Sequence, residues 1–498
     1  MFDLHAGLCA LPVELKELIL SKIEHIEAHH ILALSSTFQE AFSLLRALPR
    51  TFDFEGVEGV LADHLVRVLD DDRVRSLGKE RALELIGDGN KDRLCEYACG
   101  RSFEVLKWAH NKLHLPWAPC LAGRVSDDFL VLRVLRETWP QLKEWWRMDV
   151  RPEKWRGVTM ENGRVVKLVL VKFGLTGAVP AGIEQLTSLT YLDLRCNRLT
   201  SLPAEIGQLT SLTGLYLSRN QLTSIPAEIG QLLSLRTLYL GCNQLTSFPA
   251  EIGQLASLEQ LSLENNKLTS LSAGIGLITS LRDLHLNGNQ LTSSPAWIGQ
   301  LTSLTRLYLG RNRLTSLPAE IGQLTSLQEL YLSRNQLTSL PAEIGQLTSL
   351  QVLKLGDNML TSLPAEIGQL TSLRELDVDN NQLTSLPAQI GQLASLKVLG
   401  LGGNQLTSLP AEFGQLRSLT HLALCDNQLT SVPVEFWQLT ELRALWLHDN
   451  MLTSLSAEIR QLSSLEMLDV HDNPLRSLPA EIRQLGSLTE FFHGDGCY

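Results

Sequence analysis

The stretch Leu199-Thr-Ser-Leu-Pro-Ala-Glu-Ile-Gly-Gln-Leu-Thr-Ser-Leu212 decides the fold, because the chain repeats it at a constant spacing. An asparagine keeps the register. Asn197, Asn220 and Asn243 stand 23 residues apart, and the series runs on through Asn312 and Asn335 to Asn473. Each closes the pattern L-x-x-L-x-L-x-x-N, as in Leu304, Leu307, Leu309 and Asn312. Leu307 and Leu309 alternate with Arg306, Tyr308 and Gly310, so a short strand turns its leucines inward and the others outward. The asparagine amide both donates and accepts, which suits a corner where the backbone leaves the strand. Pro-Ala-Glu-Ile-Gly then reads as a tight helical turn, with proline at its first position, glutamate in its first turn and glycine releasing the chain. Ile206, Leu209 and Leu212 supply the inner face of the return leg.

One such unit buries nothing alone, whereas stacked units share a continuous core and a parallel sheet. The expected fold is therefore an α/β solenoid: a horseshoe with a parallel concave sheet, preceded by an α-helical N-terminal region. At about 4.8 Å per strand, roughly 14 strands make a wall on the order of 65 Å long. This pattern at this period is the signature of a leucine-rich repeat. The LTSLPAEIGQL frame resembles the intracellular class of these repeats, found in Ras-associated scaffolds, Scribble-type adaptors and plant Ras-group-related proteins. The resemblance covers residues 175–490. It implies a non-enzymatic scaffold or adaptor in intracellular signalling, holding a protein partner on its concave face, with a small GTPase among the candidates and no cofactor.

Bulk properties narrow the classes further. A chain of 498 residues is too long for one compact core, but a solenoid has no such ceiling. The net charge of −11 argues against nucleic acid or an anionic membrane as partner. Eight cysteines are scattered without a CxxC pair, and Met1-Phe-Asp-Leu-His5 has neither the cationic region nor the apolar run of a signal peptide. No apolar run of about 20 residues is present, so no membrane insertion is expected, and a reducing, cytoplasmic setting is. No phosphate-binding loop, H-E-x-x-H or G-x-S-x-G motif occurs, so neither catalytic nor metal residues are assigned.

Three segments follow from these shifts in pattern: 1–48, 49–150 and 151–498. In the first, Leu11-Pro-Val-Glu-Leu-Lys-Glu-Leu-Ile-Leu-Ser-Lys-Ile23 followed by Leu32-Ala-Leu-Ser-Ser-Thr-Phe38 resembles the start of an F-box. That resemblance implies docking onto the Skp1 adaptor of a cullin ubiquitin ligase and an alternative role as its substrate receptor. The same residues read equally well as a plain helical cap. His25, His29 and His30 have metal-compatible helical spacing but no completing ligand, so they read as a solvated face. In the second segment, Ala98 to Trp108 resembles a degenerate ankyrin-like repeat, and Asp128 to Arg136 reads as a further helix. The tryptophans there, Trp139, Trp145 and Trp146 among them, read as core or interface. The third segment opens with Phe173-Gly-Leu-Thr-Gly-Ala-Val-Pro180, a variant first repeat in which Gly174 replaces the asparagine and which resembles a capping repeat. Its last repeat frays, as a cap should.

Function is expected on the outward strand positions. Tyr216 and Tyr239, and Tyr308 and Tyr331, fall on neighbouring strands as two exposed aromatic pairs. Arginines outnumber acids along the wall as far as Asn335, and acids outnumber bases from Leu350 onward. The partner is expected to seat on Tyr308, Arg311, Tyr331 and Arg334, with Tyr216, Tyr239 and Trp446 as further contacts. Asp377, Asp379 and Asp449 would steer a basic surface of the same partner.

Overall fold

The computed structural model describes residues 127–147, 150–494 and 496–497. The F-box-like segment, the ankyrin-like Ala98 to Trp108 and the histidines His25, His29 and His30 lie outside them. The chain divides into two compact units, 1–143 and 144–498.

In the first unit the described part is a helix, α1, over Asp127–Thr138, followed by a 3₁₀ turn over Pro140–Glu144. Leu132 and Leu135 on α1 are buried, as are Trp139 and Leu142 after it, which fixes the face the helix turns away from water.

The second unit is the solenoid. Apart from those at its ends, the strands of its 17-stranded sheet are three residues long, such as Arg306–Tyr308 and Glu329–Tyr331. Neighbours 23 positions apart pair in parallel register, Leu307 opposite Leu330 and Leu330 opposite Leu353. Only the end pairs of that sheet are antiparallel. Strict register follows from the period: a slip of one residue would turn every leucine to solvent. Leu304, Leu307, Leu309, Leu314, Ile321, Leu324 and their equivalents are fully buried.

The asparagines do what their chemistry allows. Asn312 Nδ2 donates to Leu309 O at 2.9 Å and to Leu286 O of the preceding repeat at 3.0 Å. Its Oδ1 accepts from Leu291 N at 3.1 Å. One buried amide thus satisfies three backbone groups and ties two repeats together, and the pattern recurs at Asn335 and Asn427.

Two expectations about the return leg need correction. The proline is not the first helical residue; the 3₁₀ turn runs Ala204–Gln208, and Pro203 (φ −76°) is its N-cap, its carbonyl accepting from Ile206 N. The glycine does not release the chain either. Gly207 is buried inside the turn, where a Cβ would lie 2.5 Å from Glu228 O of the next repeat. Gly322 meets Glu343 O in the same way, at 2.7 Å. The glycine is a contact between turns, needed so that successive backbones approach closely. At 437 a buried tryptophan stands in its place, edge-on to Phe436.

A second backbone regularity lies just before each asparagine. Cys196, Arg219, Arg311, Arg334, Asp357, Asp426, Asp449 and Asp472 all have φ between 51° and 60°. Gly288 and Gly403 hold the same left-handed position without the steric cost that other residues carry there.

The edges are closed differently. At the N-terminal end, Val158–Glu161 and Arg164–Val169 form an antiparallel hairpin whose two-residue turn is Asn162-Gly163, both with positive φ. Its second strand pairs with Tyr191–Asp193, so the first parallel strand has no bare edge. Trp146 stacks on Trp155 at 5.1 Å beneath it, each indole N–H bonded to a backbone carbonyl. The variant repeat contributes Thr176–Ala178, which pairs with Arg198–Ser201 in a separate sheet. At the other end Glu490–His493 pairs antiparallel with Gly496–Cys497.

Candidate interaction surface on the concave wall

Because equivalent positions align rung by rung, outward side chains form columns, and each column can be followed along the wall. Aromatic groups crowd the middle column, where Tyr216, Tyr239, His285, Tyr308 and Tyr331 stand, and Tyr191 joins them from the column beside it. Tyr191, Tyr216 and Tyr239 are in ring contact at 4.8 and 5.2 Å, and His285, Tyr308 and Tyr331 stack at 4.3 and 4.6 Å. These are triads and not the expected pairs, and stacking leaves the rings half-buried and not fully exposed. Their polar ends are also occupied. Tyr308 and Tyr331 both donate to Glu329 Oε2, at 3.1 and 3.2 Å, and Tyr239 donates to Gln260. Burial, with the Glu329 carboxylate beside it, pushes the Tyr308 phenol up to about 12.

The arginines of this half are largely engaged. Arg306 binds the buried Asp283 at 2.6 Å, Arg195 the buried Asp193 at 2.7 Å, and Arg334 reaches Asp357 at 3.2 Å. Arg311 is exposed, at the left-handed position.

From Lys354 onward the column changes. It reads Lys354, Asp377, Gly400, Ala423, Trp446 on successive rungs. Gly400 and Ala423 offer almost no side chain, so the wall sinks between Asp377 and Trp446. The resulting pocket is lined by Lys354, Asp377, Asp379, Val398, His421 and Trp446 over a floor of Gly400 and Ala423. Asp379 leans over that floor: its Oδ1 accepts from Gly402 N at 2.7 Å, and a Cβ on Gly400 would come within 2.8 Å of it. Asp379 makes no ion pair among the described residues. Burial and the neighbouring Asp377 raise its carboxyl to about 6, only partly offset by the Gly402 amide. Lys354 pairs with Glu375 and lies 3.7 Å from Asp377. His421 lies roughly parallel to Trp446, with centroids 6.5 Å apart.

Beyond Trp446 lie His448 and His471, their rings stacked at 4.7 Å, and the buried Asp469 between their Nδ1 atoms. The hydrogen bond it donates to the Asp469 carboxylate raises the His471 imidazole above its ordinary value. Asp449 is exposed beside this group.

A family model described as a leucine-rich repeat region matches residues 164–295, 296–382 and 366–449, more than half of the chain. The chain belongs to the leucine-rich repeat family. Among solved structures this leucine-rich repeat protein is similar to LIC12759 of Leptospira interrogans, at 43% identity over 64% of this chain and 81% of that one, with a TM-score of 0.60. It also resembles the plant peptide hormone receptor RGFR1, solved in complex with RGF2, at 30% identity and a TM-score of 0.54. That match covers 64% of this chain but only 58% of the receptor chain. A third likeness is to an internalin of Listeria monocytogenes, at 25% identity over 73% of this chain and 97% of that one, TM-score 0.55. No match was found among the curated proteins. No helix among the described residues is long and apolar enough to cross a membrane.

The residues singled out from sequence thus fall into separate places. Tyr216 and Tyr239 belong to one aromatic triad and Tyr308 and Tyr331 to another, while Arg311 and Arg334 hold the left-handed position before their asparagines. Asp377, Asp379 and Trp446 come together around one pocket, and Asp449 lies past it. Sequence reading missed Gly400, Ala423 and His421. Written at period 23, the middle column shows two consecutive small residues only there between Tyr308 and Trp446.

Proposed function

We propose that this leucine-rich repeat protein is a non-enzymatic recognition scaffold, and that its concave wall holds a protein or peptide segment by a basic side chain seated in the Asp377–Trp446 pocket. The carrying observation is the pocket itself: two carboxylates on one side, an indole on the other and a floor without side chains. A lysine or arginine fits that chemistry, its charge against Asp379 and its stem or guanidinium against the Trp446 face. The aromatic half, already satisfied internally, then serves as a stiff flank along which the rest of the segment lies. The peptide-hormone complex of RGFR1 supports a peptide as the class of ligand, and the wall's acidic half supports a basic one. A signalling adaptor role fits the resemblance of the repeat frame, with a small GTPase or another protein presenting the basic segment.

The test is selection from a random peptide library on the full chain, beside a chain carrying Asp377→Asn and Asp379→Asn. Enrichment of lysine- or arginine-bearing peptides by the first and not the second is the expected result. Equal enrichment by both would remove the pocket from the reading. The alternative, a substrate receptor docking Skp1 through 1–48, is addressed by affinity capture with and without those residues. Absence of Skp1 and cullin from both captures ends that alternative.

A further inference from the structure

The group beyond the pocket has a different chemistry. His448 and His471 occupy the same column on adjacent rungs, and both direct Nδ1 at Asp469: 3.0 Å to Oδ2 from His448 and 2.6 Å to Oδ1 from His471. One ligand atom from each of the three lies within 4.8 Å of the others. Asp469 is 8% exposed, so its charge is held in a confined site. His448 Nδ1 is itself buried and makes no well-aligned hydrogen bond despite its closeness to the carboxylate. A buried donor atom aimed at a carboxylate without a proper bond to it is a group whose partner is something else.

We propose that His448, Asp469 and His471 bind one divalent transition-metal ion of the zinc type, an interaction independent of any peptide in the pocket. Two imidazoles and one carboxylate are a zinc-type ligand set, whereas calcium and magnesium favour all-oxygen shells. The ion enters where the two Nδ1 atoms already converge, and each ring binds it neutral, the Nδ1 proton passing to Nε2 or, from a charged ring, one proton leaving to solvent. Modest rotation of the rings brings each nitrogen to the roughly 2.0–2.1 Å such bonds require. Side-chain exposures of 21% for His448 and 34% for His471 leave a path from the concave face. The ion would clip two successive rungs near the C-terminal end of the wall, with a coordination position left toward the groove. Two other trios overlap this one: Cys425 with Asp426 and His448, and Asp449 with Asp472 and His471. Only the proposed trio uses both imidazoles.

The test uses the tag-free, chelator-treated full chain, titrated with Zn²⁺ by calorimetry and with Co²⁺ by visible absorption. The expected result is one Zn²⁺ per chain and ligand-field bands from Co²⁺. His448→Ala and His471→Ala should each weaken binding by at least about tenfold while the circular dichroism spectrum is retained. His471→Gln serves if an alanine variant fails to fold. Cys425→Ser should leave binding unchanged. The proposal is overturned by absence of binding, by wild-type affinity in both histidine variants, or by loss in Cys425→Ser with retention in His471→Ala.

Discussion

The stretch of wall from Tyr191 to Tyr331 and the stretch from Lys354 to His471 share one leucine frame and one asparagine ladder, yet they present opposite surfaces. In the first, neighbouring rungs answer one another: ring stacks on ring, Tyr308 and Tyr331 share Glu329, and Arg306 covers the buried Asp283. In the second, small residues follow large ones and carboxylates stand beside carboxylates, so a cleft opens and charge is left over. A repeat scaffold separates these tasks cleanly. Inward positions set stability, and outward columns are free to close on themselves or to wait for a ligand.

If the frame is shared, damage to it should cost the same in either stretch. Asn312→Ala and Asn427→Ala each leave one backbone amide, Leu291 N or Leu406 N, without its partner and take one of two asparagine donors from each of two carbonyls, and each should cost about 1–3 kcal/mol. Arg311→Ala, next to the first, should cost no more than about 0.5 kcal/mol. Urea unfolding of the three variants checks both statements. A loss at Asn427 less than half that at Asn312 would mean the two stretches differ in frame as well as in surface.

The next contrast concerns binding. Asp379→Asn should weaken a lysine-bearing peptide by about tenfold or more, the equivalent of about 1.4 kcal/mol. Tyr331→Phe removes only a hydroxyl already held by Glu329 and should change affinity less than about twofold. Fluorescence titration with a peptide from the library decides. The reverse ranking would return the partner to Tyr308, Arg311, Tyr331 and Arg334, where sequence reading first placed it.

How much of this was legible without coordinates differs by level. The period of 23 and the alternation at Leu307 and Leu309 determine strand, register and sheet, because burial is imposed at every rung. The asparagine's role also follows from its own chemistry. Gly207 misled because its constraint comes from Glu228, 21 residues away, and a single repeat read in isolation shows only a glycine after a helical turn. The left-handed column was hidden because Arg, Asp and Cys occupy it as well as Gly. The pocket is defined by missing side chains at Gly400 and Ala423, and attention to aromatic and charged residues passes over such positions.

Titration should separate the two stretches too. Tyr308 sits at about 12 and stays neutral through the physiological range, whereas Asp379 sits at about 6. Its pKa is above the ordinary carboxylate value, so its ionisation opposes folding. The contribution to stability is complete below pH 4 and is lost as pH rises through about 6. Allowing for solvent screening, it amounts to about 1 kcal/mol. Affinity for a basic peptide should move the other way, falling between pH 7 and 5 as Asp379 takes up its proton beside Asp377, Asp357 and Lys354. Asp379→Asn should flatten that fall while leaving the unfolding midpoint at pH 7 unchanged or slightly raised. A profile insensitive to Asp379→Asn would remove Asp379 from the charge that holds the peptide.

The smallest effect tests the frame where it breaks. Ser272, in the aromatic stretch, and Ser456, beyond the pocket, replace the repeat proline. Their φ values of −65° and −75° lie where a proline ring would hold them. Each serine hydroxyl accepts a long hydrogen bond of 3.4 Å, from Gly274 N and Glu458 N respectively. Ser→Pro gives up that weak cap and gains by restricting the unfolded chain, two terms of similar size and opposite sign. Both variants should therefore lie within about 0.5 kcal/mol of the parent, with the same sign in both stretches. Thermal unfolding of the pair is the check. A marked loss at Ser456 alone would show that the C-terminal rungs depend on the serine cap, and that the frame there is less uniform than its leucines indicate.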